Sequence, residues 1–447
     1  MKNKILKNRW IFAALIAGML GFSSCKDDDN ADSGAPAQIN KVYLEDAQSN
    51  VPDRDLAPYG NFVRLGQTIR LEGSGFVGVT KVLVNGYELL FNPVYVSDKS
   101  MIVQVSSKVP VADVDPAYKN KICLVKGSHT TYFDLEVRAA APSITGISHT
   151  MPVAGDPITI YGTRLQGVTS ITFPGDVVVT SGIVSDDEAG EWVTVTVPAG
   201  VSNDGGSIFI ACANGGAYSP AYFNYKKGVL LNFDDVSTWG YSGGEVSGDL
   251  DATLPASGDG PKSQGNYRSL NKDGKTIAAS ESTTPDAFSK AWMNNSKWSP
   301  ILYTTFSPAT SCDQLAVQMD IYFEGTWNSG DIRFVVADGY GVSSYCMIYA
   351  PWVSGGARVP FVSPGSWFTV TLPLSESSEV NASNNFAGKT LAELLAIAAA
   401  QWDQSGPHME NGPWKGVAAQ ATDINVYFDN IRFVPLTTPT FSDFPEE

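Results

Sequence analysis

Apolar and polar residues alternate with a period of two in short runs along most of this 447-residue chain, and such runs between Gly, Asn, Asp and Pro read as half-buried β-strands. In residues 101–105, Met101, Val103 and Val105 are the apolar set; in residues 191–198, Val193, Val195 and Val197 oppose Trp192, Thr194 and Thr196. Residues 315–323 send Leu315, Val317, Met319, Ile321 and Phe323 to a core, so Gln318, Asp320 and Tyr322 fall on the opposite, outer face. Residues 331–337 likewise place Ile332, Phe334 and Val336 inside and Arg333 outside, and Tyr345, Met347 and Tyr349 share one face. Asn85-Gly86 is a two-residue hairpin signal, because a type I′ turn needs φ > 0 at both central positions. One segment has helical spacing: Leu391, Leu394, Leu395, Ala398 and Trp402 form a stripe, opened by Thr390 and Glu393 as a capping box.

These elements group into three units, at 38–138, 139–227 and 228–437, with a tail at 438–447. The break between the first two is Ala139-Ala140-Ala141-Pro142, and the second unit echoes the first. Residues 157–162 (Pro-Ile-Thr-Ile-Tyr-Gly) repeat residues 68–73 (Thr-Ile-Arg-Leu-Glu-Gly), and 168–175 repeat 79–86. The Pro142-Ser143-Ile144, Gly155, 158–162 and 168–175 pattern resembles the IPT/TIG domain, an immunoglobulin-like sandwich. That resemblance implies spacer modules. The third unit opens with 229–235 and closes with 424–433, two strands expected to pair. At about 210 residues it reads as one larger, jelly-roll-like β-sandwich. The fold expected is all-β: tandem immunoglobulin-like sandwiches followed by a larger C-terminal one.

The N-terminus carries Lys2, Lys4, Lys7 and Arg9, then an apolar run from Trp10 to Phe22 that is shorter than the roughly 20 residues of a membrane span. Ser23, Ser24 and Cys25 follow. This resembles a bacterial lipoprotein signal (residues 1–24) with Cys25 lipidated; an ordinary cleaved signal peptide is the alternative. Lys26 and Asp27 to Asp29, within a polar linker at 25–37, resemble the surface-export tag of Bacteroidetes lipoproteins. Together these imply the outer membrane's extracellular face, with lipid as the only membrane attachment.

Composition narrows the partner. Without the signal segment, 26 basic residues stand against 46 acidic ones, which argues against nucleic acid and anionic lipid and suits a neutral ligand. No CxxC pair suggests zinc; Cys123 and Cys212 read as buried thiols, and a Cys312–Cys346 disulfide is left open. No cofactor is expected. A structural Ca²⁺ near Asp234, Asp235 and Asp429 is conceivable, with solvated turn carboxylates as the alternative.

Eight of the ten tryptophans fall in the third unit, several in Gly-, Asn- and Ser-rich segments: Trp327 in 325–330, Trp352 in 350–356, Trp414 in 411–415. Trp402 and Trp367 read as core. An exposed aromatic face suits a pyranose ring, whose C–H bonds meet the negative π face while ring-edge hydroxyls take polar partners. The candidate ligand-binding residues are therefore Trp327, Tyr349, Trp352, Trp414, Trp292, Tyr322 and Arg333.

Signal, export tag, IPT/TIG-like repeats and a Trp-rich C-terminal sandwich together resemble the type B surface glycan-binding proteins of Bacteroidetes polysaccharide utilisation loci. The resemblance implies a C-terminal domain that binds a β-glucan or xyloglucan-type polysaccharide beside a SusC/SusD-like outer-membrane transporter complex. It also implies a binding platform of a few tryptophans and a tyrosine, here matched to Trp327, Tyr349 and Trp352. Two rival readings stand: a hydrolase of the same polymer, and a non-glycan adhesin. A glycosidase needs a carboxylate pair, and no signature marks one. Gly240-Tyr241-Ser242-Gly243-Gly244 matches GxSxG but lacks the strand–helix context of a nucleophile elbow, and His129, His149 and His408 fall one to a unit.

Overall fold

The structure, a computed structural model, describes residues 34–45, 53–236, 238, 250–251, 265–271, 274, 276–279, 293–337, 345–379, 384–400 and 405–444. Cys25, Trp239, Trp292, Trp402 and the GxSxG segment lie outside the described residues. The chain divides after Ala140 into two compact units.

The first unit holds one sandwich. One sheet has the order Arg54–Asp55, Gln38–Leu44, Thr68–Ser74, Ser100–Gln104; the other has the order Tyr87–Leu89, Val79–Val84, Lys121–Lys126, His129–Asp134. Alternate residues of the central strands are buried, Ile69 and Leu71 on one sheet and Val82 and Val84 on the other. The predicted hairpin forms: Asn85 and Gly86 have φ of 49° and 80°, and Val84 pairs with Tyr87.

The second unit contains two sandwiches. In the first of these the sheets are Ser143–Ile147, Pro157–Thr163, Trp192–Thr196, Val184–Ser185 and Val177–Val179, Ser170–Phe173, Phe209–Cys212, Gly215–Tyr218. The repeated glycine has a common cause in both copies. A Cβ on Gly73 would sit 1.8 Å from the Gln38 carbonyl oxygen, and one on Gly162 would sit 2.1 Å from that of Ser143. In each copy the paired strand carries a bulge there, and only hydrogen fits under it.

The C-terminal sandwich packs a large sheet against a smaller one. The large sheet runs Leu250–Asp251, Tyr267–Leu270, Val426–Pro435, Leu315–Phe323, Phe368–Pro373, and Val229–Leu231 also pairs with Val426–Pro435, so the opening and closing strands meet as the pattern predicts. The smaller sheet is Tyr345–Tyr349, Asp331–Ala337, Gly406–Glu410. One core joins their inner faces, from Val317, Met319 and Ile321 to Ile332, Phe334 and Val336. The Leu391–Ala400 helix closes an end through Leu391, Leu394 and Leu395. Its capping box is made: Thr390 N–H donates to Glu393 Oε2 at 2.7 Å, and Glu393 N–H donates to Thr390 Oγ1 at 3.3 Å. Cys312 and Cys346 are free and buried in separate clusters, their thiols pushed up to about 12 by burial, so no disulfide joins them.

The two sandwiches of the second unit are docked. Ala316 and Val434, on the outer face of the large sheet, are buried in the core of the preceding sandwich. Beside them lies a buried polar network. Arg432 Nη2 is 3.0 Å from Asp320 Oδ1 and donates to Thr150 Oγ1 at 2.8 Å, while Arg432 Nε donates to Gln318 Oε1 at 3.2 Å. Thr150 N–H donates to Thr369 Oγ1 at 2.8 Å, Thr369 donates to Asp320 at 2.7 Å, and His149 Nε2 lies 3.6 Å from Asp320 Oδ2. Gln318 and Asp320 do face outward from their own sheet, as the alternation predicts, but onto a neighbouring domain, not onto solvent. Burial alone would raise the Asp320 pKa, yet the charges of Arg432 and His149 hold it below the ordinary carboxylate value.

Removing one partner of such a pair leaves a buried charge uncompensated, which costs about 3–5 kcal/mol. Arg432→Met should therefore lower the urea midpoint sharply, and adding Asp320→Asn should recover most of the loss. A double variant no better than the single one would show that the pair is not the source. A carboxylate held low contributes stability above its ordinary value of 3.8 and loses it only in stronger acid, so melts of the wild type from pH 7 to pH 4 should show little loss from this junction.

Candidate functional site

Of the three described tryptophans expected on a platform, two are core. Trp327, on the short Thr326–Trp327 strand, and Trp352 are both fully buried, and their indole N–H groups both donate to the Gly330 carbonyl at 2.7 Å. Their glycine-rich surroundings are tight turns over which the rings fold back inward, where one backbone oxygen satisfies both donors. Trp298 also lies in this core, edge-on to Phe433 at 5.7 Å. A two-sheet core of this size absorbs several indoles. Trp414 is half-buried against the same core, with the Lys415 ammonium 5.6 Å from its ring.

Tyr322 occupies the outer face as expected, but it is 5% exposed in a four-ring cluster with Tyr267, Trp367 and Tyr427. Arg333 also faces outward and is consumed by ion pairs: Nε lies 3.0 Å from Asp331 and Nη1 lies 2.8 Å from Glu410, which His408 contacts at 2.9 Å. The carboxylates Asp331 and Glu410 are thus neighbours in register, but both are buried and held by Arg333. Among the described residues no group of three His, Cys, Asp or Glu side chains is placed to hold a metal ion. Asp234 accepts the Asn266 N–H at 2.9 Å, and Asp429 accepts that of Asn430 at 2.7 Å.

Among the described residues of the expected set, Tyr349 lines an open groove. A groove of about 850 Å³ runs between the C-terminal sandwich and the one before it. One wall is Tyr349, Phe361 and Phe368; the other is Tyr161 with Pro157 and Thr159. The floor exists because two sheet edges meet: Thr369 N–H, on the edge strand Phe368–Pro373, donates to the Ser148 carbonyl at 2.8 Å. The Thr369 and Thr371 hydroxyls at that floor are held by Asp320 and Gln318, so the docking network fixes the groove. Phe361 and Phe368 meet edge-on at 5.9 Å, and each packs on Phe323 of the core, which makes the aromatic wall rigid. Burial pushes the Tyr349 hydroxyl above its usual pKa, so it remains a protonated donor.

Of the groove's lining residues, only Glu376 is charged. Aromatic faces, threonine and serine hydroxyls and near-neutrality are what a neutral carbohydrate requires. A single carboxylate does not make the pair that glycoside hydrolysis uses.

Residues 223–435 match the family described as the surface glycan-binding protein B xyloglucan binding domain. That match takes in the C-terminal sandwich. The match takes in the Tyr349 and Phe368 wall of the groove but not Tyr161. The curated relative, an IPT/TIG domain-containing protein of Bacteroides ovatus, is 25% identical over 234 residues, which is 49% of this chain and 45% of the relative. The chain thus spans about half the length of that relative. Among solved structures, the crystal structure of surface glycan-binding protein PbSGBP-B from Prevotella bryantii is similar with a TM-score of 0.55 at 18% identity, covering 90% of this chain and 99% of that one. This likeness shows a shared all-β fold of immunoglobulin-like sandwiches and a larger C-terminal domain.

Sequence reasoning missed Phe361, Phe368 and Tyr161 as groove residues. Tyr161 carried a signal, since Ile158 and Ile160 alternate with Thr159 and Tyr161; the two phenylalanines did not, because each has an apolar neighbour that competes for the core.

The Asp331 cluster generates a pH prediction. Burial pushes the Asp331 carboxyl up to about 6 against the pull of Arg333. Between its ordinary 3.8 and about 6 the fold therefore holds a proton that the unfolded chain has released, and stability falls as pH rises through that window. Asp331→Asn should flatten this slope in thermal melts compared at pH 4 and pH 6.5; an unchanged slope would show that Asp331 does not hold the proton.

Proposed function

We propose that this protein is a cell-surface receptor that captures a neutral polysaccharide of the xyloglucan or β-glucan type in the groove beside Tyr349, Phe361 and Phe368. The observation that carries the reading is the groove's lining: rigid aromatic faces, hydroxyls and one charge, in a chain of net charge −16. The family of residues 223–435 supports a glycan, and xyloglucan first.

The mechanism is capture without bond cleavage. Stacking on the aromatic wall removes apolar sugar faces from water, and hydroxyls along the floor fix the chain's orientation. Each contact is weak, and a polymer that meets many anchored copies is retained by avidity. In this reading Cys25 bears the lipid, the acidic run after it directs the chain to the outer face of the outer membrane, and the captured glycan passes to a SusC/SusD-like uptake complex. In this reading the lipid on Cys25 supplies the membrane attachment; no helix among the described residues is long and apolar enough to cross a membrane.

Affinity electrophoresis of the full chain should show retardation by xyloglucan and release no reducing sugar. Phe368→Ala should weaken retention about tenfold, equivalent to about 1.4 kcal/mol, and Ser366→Arg, which projects a long side chain into the groove, should weaken it at least as much. Undiminished retention by both variants, with both folded, would move the site elsewhere on the domain.

A further inference from the structure

The two small sandwiches are copies of one scaffold, yet they treat the same solvent-facing sheet differently. In the first copy the outward positions of the Thr68–Ser74 strand include two paired charges: Arg70 Nε lies 2.5 Å from Asp53 and Nη1 lies 3.4 Å from Glu72, with Lys41 2.7 Å from Asp55 on the neighbouring strands. This is the ordinary way to solvate an exposed sheet. In the second copy the equivalent strand is Pro157–Thr163, where Thr159 stands in place of Arg70 and Tyr161 in place of Glu72. Across from Tyr161 the register places Trp192, where the first copy has Ser100 across from Glu72.

Tyr161 is 47% exposed and Trp192 is 38% exposed. Directly opposed residues share a face with Cβ atoms about 5 Å apart, so the two rings form one patch. The remaining outward positions of that sheet are Ser143, Thr145, Pro157, Thr159, Thr163, Val184, Thr194 and Thr196, and none is charged. Thr159 and Thr194 hydroxyls lie 3.3 Å apart beside the ring pair. The patch is continuous with the groove, because Thr145, Pro157, Thr159 and Tyr161 also line it.

We propose that the outer face of this second sandwich is a further glycan-binding subsite, in which Trp192 and Tyr161 stack on sugar residues of the same neutral polysaccharide as it leaves the groove. The module is then part of the receptor, not a spacer alone. Its docking through Arg432, Thr150 and Thr369 keeps the subsite in register with the groove. A neutral polymer is the occupant that the face fits: it needs aromatic planes and hydroxyls and tolerates the absence of charge, and it is long enough to cover both sites. This inference rests on the groove binding glycan, and the test separates the two.

The full chain is measured by calorimetry against xyloglucan polysaccharide and against a single xyloglucan heptasaccharide repeat. Trp192→Thr should weaken binding of the polysaccharide about tenfold while leaving the heptasaccharide unchanged, and Trp192→Phe should retain most of the polysaccharide affinity. Tyr161→Glu, which installs the first copy's residue, should weaken both, since Tyr161 serves groove and face. Thermal melts of all three should stay near the wild type, because both side chains are exposed. Equal affinity of wild type and Trp192→Thr for the polysaccharide would overturn the subsite while leaving the groove intact. Absence of binding by the wild type to either ligand would overturn the groove itself.

Discussion

The buried pair of Arg432 and Asp320 is the constraint on which the rest of the second unit depends. An arginine and an aspartate, each almost wholly removed from water, persist because neighbouring side chains and backbone supply hydrogen-bond partners. Thr150 and His149 from the preceding sandwich supply part of that set, and Gln318, Thr369 and Asn430 supply the remainder. The charges therefore need the neighbouring domain in place. Apolar contact through Ala316 and Val434 adds area, but the polar set fixes orientation, because hydrogen bonds fail with small rotations that apolar contacts tolerate.

From that orientation the groove follows. Its floor is where the edge strand Phe368–Pro373 meets the end of Ser143–Ile147, and the threonines that line it are the ones the ion pair holds. One wall rests on the C-terminal core through Phe323 and the other on the second sandwich's sheet. Neither domain has the site by itself. The charge distribution agrees with a neutral ligand: carboxylates are abundant on the chain, but at the groove only Glu376 is present.

Much of the fold was legible in the sequence because strand periodicity is local. The inward set of residues 315–323, the Asn85-Gly86 turn and the Thr390–Glu393 cap all follow from spacing and backbone sterics that a few neighbouring residues impose. The site was less legible. Trp327 and Trp352 looked exposed because glycine and serine surround them, yet those residues permit the tight turns that return each indole to the core, where Gly330 accepts both N–H groups. Tyr349 was among the candidates and lines the groove, but its neighbours there, Phe361 and Phe368, were hidden among apolar residues.

By itself the sequence determined which face of each strand a residue occupies, since alternation admits no other answer once one side is apolar. It determined too that two similar modules precede a larger one, and that the second copy replaces Arg70 and Glu72 of the first with Thr159 and Tyr161. Only the tertiary structure decided which outward faces meet water. Gln318, Asp320, Tyr322 and Arg333 all point away from their own core and are all covered, whereas Tyr161 and Trp192 point away and stay open. The reason is physical: covering a face depends on what a distant part of the chain brings against it, and no local pattern encodes that.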